Sequence, residues 1–348
     1  MVAVAIMTAM TANAQRIQVV DSDGQAIPFV TILNEEGMMI ATTNIEGMSD
    51  DLQGTKKVVV THVAFKSKSV NIESDGQRVT LEDADFHLPE ITVTKKDYTY
   101  LQVYYRVMAL NKDGVVFYRA GLVDNFYNEK KGKQESSKQH VTKAKNGTIK
   151  IGANLVVSLI VDELATFRLK PMEDVWKKKY KSQGLKIVGE GGRKNIIDNY
   201  GTLGSITDKD GQRCMSMDMY LAYLHHLEAN GKTKELEKFK KYEAKVENAV
   251  RSSYCIYSID DNGSYRLEDF LMEQHLYSGD YEKQGHCVFV MDFFATDRGY
   301  YSKEGMKQVK KDSKVKMTYD WAQQFERKHN IPALAPEIVA KVKGLAEE

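Results

Sequence analysis

Apolar and polar positions alternate from Ile17 and Val19 until Asp21-Ser22-Asp23-Gly24 interrupts them. An Asp-Gly pair between two β-rich runs predicts a hairpin turn, because such turns need positive φ. Phe29 to Leu33 predicts a further strand, ended by Asn34-Glu35-Glu36-Gly37, and Met39 to Thr43 predicts another, ended by Asn44-Ile45-Glu46-Gly47. Val58 to Phe65 is apolar apart from Thr61 and His62, the pattern of a central strand buried on both faces. Val70 with Ile72, and Val79 with Leu81, alternate on either side of Asp75-Gly76. About seven short strands at spacings of about 8–12 residues predict a β-sandwich.

Beyond this stretch the runs lengthen. Tyr98 to Met108 and Val115 to Tyr118 flank Asn111-Lys112-Asp113-Gly114, another hairpin signature, and Leu122 to Tyr127 predicts a further strand. Leu155 to Val161 is compatible with strand or helix. Pro171 starts a helical pattern through Met172, Val175, Trp176 and Tyr180 that Gly184 ends, and Leu185 to Val188 follows as a strand. Ser205–Thr207 and Cys214–Met219 flank the turn Asp208-Lys209-Asp210-Gly211. Helices are predicted over Tyr220–Ala229 and Lys234–Val250, the second with Leu236, Phe239, Val246 and Val250 on one face. Cys255–Ile259 and Tyr265–Phe270 predict a hairpin, and His286–Ala295 (HCVFVMDFFA) a strong strand. Ser302 caps a short helix over Gly305–Lys311, and Pro336 starts a C-terminal one. The fold class expected is mainly β to α+β: a seven-stranded sandwich, then an antiparallel sheet with packed helices.

The ordered pieces VVDSDGQAIPFVTI, ATTNIEG, VVVTHVAFKSK and LPEITVT, between residues 19 and 94, resemble the carboxypeptidase-regulatory-like domain. That family is a prealbumin-like β-sandwich found ahead of many exported and outer-membrane proteins of Bacteroidetes-type bacteria. Met48 stands where the family usually has an aromatic residue, and Ala64 where it has glycine. The resemblance covers about a quarter of the chain and implies an appendage without catalytic residues of its own. It also invites an outer-membrane receptor, but the roughly 250 residues after Thr94 are too few for a 22-stranded barrel at about 10 residues per strand plus loops.

Composition adds a compartment. Val2 to Met10 is apolar apart from Thr8, and Ala12-Asn13-Ala14 precedes Gln15, which reads as a secretory signal cleaved before Gln15. The competing reading is a buried N-terminal element. The apolar segment is too short to span a bilayer, and the missing basic region would place the true start upstream of Met1. Forty-nine basic against 48 acidic side chains leave a net charge of +1, which gives the chain as a whole no electrostatic reason to seek nucleic acid or an anionic membrane. Six lysines lie between Lys130 and Lys145; they offer phosphate or lipid headgroups a basic patch, or simply solvate a hairpin, the reading favoured by a neutral chain.

Candidate chemistry is sparse. Cys214, Cys255 and Cys287 lack metal-knuckle spacing, and one disulfide plus a free thiol or three inert thiols fit equally well. His225 and His226 are adjacent, so on a helix they point about 100° apart and cannot share a metal as an i, i+4 pair does. With His275, His286 and the cysteines they make no zinc pattern. Asp208 to Met219 lacks the acid that a calcium loop needs at its twelfth position, Gly189-Glu190-Gly191-Gly192 fits no phosphate-loop pattern, and no G-x-S-x-G occurs. No catalytic, cofactor-binding or metal-binding residue is therefore assigned. The organisation expected is a signal peptide over 1–14, a carboxypeptidase-regulatory-like sandwich over 15–97 and an α+β domain over 98–348. The function expected is a non-catalytic envelope protein binding a lipid, glycan or protein partner, neither spanning a membrane nor binding nucleic acid. The alternative is an envelope hydrolase of peptide or glycan.

Overall fold

The computed structural model describes residues 15–52, 54–86, 97–111, 114–144, 172–189, 192–243, 246–281 and 285–347. It is mainly β, with 49% of the described residues in strands and 20% in helices. The leading stretch supplies β1 (Ile17–Val20), β2 (Thr31–Leu33), β3 (Met39–Thr42), β4 (Lys57–His62), β5 (Phe65–Asn71) and β6 (Gln77–Thr80). β1 pairs with β6 in parallel, and the other four form an antiparallel sheet in the order β3-β2-β4-β5. Ile17, Val19 and Val79 from the small sheet share one apolar core with Ile32, Val58 and Val60 from the larger. The expected seventh strand, in LPEITVT, falls outside the described residues, as do the signal segment and Leu155–Val161.

Eleven strands then build one antiparallel sheet. They are β7 (Tyr98–Asn111), β8 (Gly114–Asn128), β9 (Lys133–Ala144), β10 (Lys186–Val188), β11 (Arg193–Ile197), β12 (Thr202–Lys209), β13 (Gln212–Asp218), β14 (Val246–Ser258), β15 (Phe270–Tyr281), β16 (Gly285–Tyr301) and β17 (Ala346–Glu347). Their order is β10-β11-β12-β13-β14-β15-β16-β7-β8-β9-β17, so β16 returns to lie beside β7.

Both faces of this sheet are covered, which explains why its central strands read as almost unbroken apolar runs. On the first face Tyr104, Leu122, Ile256, Met272 and Phe294 join the core of the leading sheets. Two helices from the chain's end pack there as well, through Tyr319 and Ala322 of Tyr319–Lys328 and through Ile338 and Val342 of Pro336–Lys343. On the second face Val103, Tyr105, Met215, Cys255 and Phe293 meet Trp176 and Ala222. These two residues belong to α1 (Met172–Lys179) and α2 (Met219–Ala229). The remaining helices are α3 (Thr233–Glu243), α4 (Lys303–Asp312), α5 (Tyr319–Lys328) and α6 (Pro336–Lys343).

Four expectations need correction. Val58–Phe65 is a hairpin, not one strand: β4 ends at His62, and the turn residues Val63 and Ala64 are apolar because they are buried. The helix expected over Lys234–Val250 stops at Glu243, and Val246 starts β14 by pairing with Tyr281, so sheet pairing overrides local helical pattern. Tyr265–Phe270 is not the return strand of a hairpin; pairing resumes only at Phe270, opposite Tyr257. Leu122–Tyr127 is the second half of the 15-residue β8 rather than a separate strand.

Candidate functional site

The leading sheets meet the large sheet across a cleft with a cavity of about 270 Å³. One wall is the loop Gln25–Pro28 together with Ala64, Phe65 and Phe86; the floor is the first face of β12 to β15, including Cys214, Ser216, Tyr254, Ile256 and Met272. Strand register places the floor residues together. Cys214 lies opposite Ile256, and Ile256 opposite Met272, while Ser216 lies opposite Tyr254. Residues from distant parts of the chain thus become one surface, apolar at the bottom and hydroxylated along one side, where Ser205 and Ser216 lie 3.1 Å apart through their Oγ atoms.

The wall is held in an unusual backbone conformation. Phe29, just past Pro28, has φ of 58°, which a bulky side chain rarely adopts. Thr43, 1% exposed, accepts a hydrogen bond from the Val30 N–H at 2.9 Å and donates to the Ile27 carbonyl at 3.0 Å. One hydroxyl therefore fixes both sides of the strained residue, and with it the cleft wall.

Charge at the mouth is lopsided. Lys209 Nζ lies 2.5 Å from Asp23 Oδ2, and Asp21, Asp83 and Asp210 also line the opening. The hydrogen bond to Asp23 raises Lys209 above its ordinary value, against burial, with Asp83 and Asp21 adding to the effect. Asp210 occupies a left-handed position (φ 51°) in the β12–β13 turn, whose shape was legible in Asp210-Gly211. Inside, burial pushes the Cys214 thiol up to about 11, so at neutral pH it is a protonated, weakly reactive group. Tyr254 is raised well above its ordinary value, first by burial and then by its neighbour Cys214.

The residues singled out by sequence are dispersed. Cys214, Cys255 and Cys287 are unbridged; Cys214 and Cys255 sit on opposite faces of the sheet, since Cys255 pairs with Met215. Among the described residues no group of three His, Cys, Asp or Glu side chains could hold a metal. His225 and His226 diverge as helical neighbours must. His225 Nδ1 lies 2.7 Å from the fully buried Asp198, which also accepts from Gln183 Nε2 at 2.9 Å, while His226 meets the Tyr180 ring edge-on. His275 Nε2 lies 2.7 Å from Glu273 on β15, and Ser253 is its cross-strand partner on β14. That trio mixes the side chains of a nucleophilic site, yet Ser253 is 0% exposed and its Oγ makes no hydrogen bond, so nothing primes it.

Sequence reasoning weighed Cys214 only as one of three thiols and missed the cleft residues Asp21, Asp83, Lys209 and Tyr254 that surround it. Each is ordinary in its own neighbourhood, and only the docking of one sheet on another unites them. No helix among the described residues is long and apolar enough to cross a membrane. Comparison with protein-family models and with curated proteins finds no match to this chain.

Proposed function

We propose that this chain is an exported, non-catalytic envelope protein that binds a small glycan in the cleft between its leading sandwich and its large sheet. The observation that carries the reading is the cleft's composition: an apolar floor, neighbouring hydroxyls and a rim richer in carboxylates than in cations. Sugars present an apolar C–H face to rings such as Phe65 and Tyr254, and their hydroxyls suit serine and carboxylate acceptors. A surplus of carboxylates disfavours phosphate and fatty-acid headgroups and tolerates a neutral or amino sugar. Export rests on the N-terminal segment and on the carboxypeptidase-regulatory-like resemblance, in which the sandwich serves as an adaptor.

Titration calorimetry of the whole protein with N-acetylglucosamine and glucosamine tests the binding. Both are expected to bind, and Asp83→Asn should weaken the cationic sugar more than the neutral one. Absence of heat with either sugar at millimolar concentration would sink the reading. Among the described residues, the hydrolase alternative can draw on Ser253 with His275 and Glu273. It requires that a fluorophosphonate probe label Ser253 in the native protein.

A further inference from the structure

Two lysine-rich segments far apart in the chain lie side by side. Residues 130–138 carry four lysines and residues 303–316 carry six, against Glu135, Glu304 and Asp312. The link is physical: Lys310 Nζ bonds Glu135, and Gln139 of β9 donates to the Ser313 carbonyl at 2.6 Å and accepts from the Val315 N–H at 2.7 Å. Lys131 also acts on Glu135, helping to hold its carboxyl below the ordinary range after the larger effect of Lys310. The helix α4 is fixed from beneath, where Met306 packs on Tyr100 and Phe126 of the first face. Lys303, Lys307 and Lys311 follow at i, i+4 and i+8 along one flank and are exposed, as are Lys314 and Lys316. Between the last two stands Val315, one of the few large apolar side chains exposed among the described residues, at 38%.

We infer that this surface docks on an anionic phospholipid bilayer. In a chain with a net charge of +1, these two segments together carry ten lysines against three carboxylates, four of the lysines on the helix packed on the sheet. Clustered lysines gain from the negative potential of anionic headgroups, roughly fivefold in partitioning for each lysine close to the surface. Charge alone would suit any polyanion. The bilayer is favoured by Val315, since an exposed apolar side chain between two lysines can enter the acyl boundary while its neighbours stay among the headgroups. The inference is independent of the ligand cleft.

The test is co-sedimentation of the whole protein with vesicles of phosphatidylglycerol and phosphatidylcholine, or of phosphatidylcholine alone. The protein is expected to pellet only with the anionic vesicles and to be released by high salt. The triple variant Lys307→Glu, Lys311→Glu, Lys314→Glu should lose at least tenfold in partitioning. A triple of equal charge change elsewhere, Lys178→Glu, Lys232→Glu, Lys234→Glu, should bind nearly as wild type, which separates the patch from net charge. Val315→Ser should weaken binding severalfold. Equal loss in both triples, equal pelleting with neutral vesicles, or tighter binding to duplex DNA than to anionic vesicles would overturn the inference. Unchanged binding by Val315→Ser would also overturn it, in favour of a purely electrostatic partner.

Discussion

Asp21, Asn34, Asn44 and Asp260 each accept two backbone N–H groups, from the residues two and four positions further on, at 2.8–3.1 Å. A glycine with positive φ stands three positions after each of them. This is why the turns were legible in the sequence: donor, acceptor and glycine all lie within five residues. Their tolerance to change is not equally legible. A Cβ on Gly47 would sit 2.5 Å from the Val19 carbonyl oxygen, whereas one on Gly263 would meet nothing nearer than 3.4 Å, at Arg213. Both positions disfavour an L side chain by about 1–2 kcal/mol, but only Gly47 adds a backbone collision. In urea unfolding, Gly47→Ala should cost distinctly more stability than Gly263→Ala; equal losses would contradict the account.

His62 makes a second prediction at this scale. Its ring is buried edge-on against Tyr254 with centroids 4.5 Å apart, and burial lowers it from 6.5 to about 3. Below about pH 6.5 the unfolded chain takes up a proton that native His62 refuses, so stability falls as pH falls, until about pH 3. The slope from this one group is at most about 1.4 kcal/mol per pH unit. His62→Phe should flatten the dependence of unfolding free energy on pH between 6 and 4; an unchanged slope would show that His62 does not titrate this way. Thr43→Val, which removes both bonds around the strained Phe29, should cost about 1–3 kcal/mol in the same assay.

At the scale of elements, α5 and the segment after it are latched to the sheet by a buried charge. Arg106 of β7, 3% exposed in its side chain, donates through Nε to Asp292 of β16 at 2.7 Å. Through Nη1 it reaches Glu326 of α5 at 3.4 Å and the Pro332 carbonyl at 2.9 Å. Tyr104 donates to the same Glu326 at 2.9 Å, and Gln274 to Asp292 at 2.7 Å. Burial opposes the charge on Arg106, and the two carboxylates outweigh it. Arg106→Met would leave both without their counter-charge, at a cost of about 3–5 kcal/mol. Hydrogen exchange should then show α5 opening well before the strands; uniform destabilisation would contradict the latch. Sequence reading did not find α5, although Thr318 caps it by accepting from the Trp321 N–H at 3.2 Å. The helix carries Trp321 and Phe325 on a face whose partner, Tyr104, lies more than two hundred residues earlier. The limits of β14 were illegible for a similar reason, since its pairing partner lies on β15 and not in its own neighbourhood.

At the scale of the whole molecule, the leading sandwich and the large sheet share one apolar core, and the cleft exists only because one is docked on the other. The mainly β class was readable from alternation and turns. Which faces meet was not, because alternation tells apart the two sides of a strand and not what covers each. Cys214 gives the most direct probe of the central claim, since it lines the floor of the cleft and is unbridged. Its rate of alkylation by iodoacetamide, mapped by mass spectrometry at pH 9, is to be measured with and without saturating N-acetylglucosamine. A sugar seated in the cleft predicts that Cys214 slows severalfold while Cys287 is unaffected; a Cys214 rate indifferent to the sugar would contradict the account.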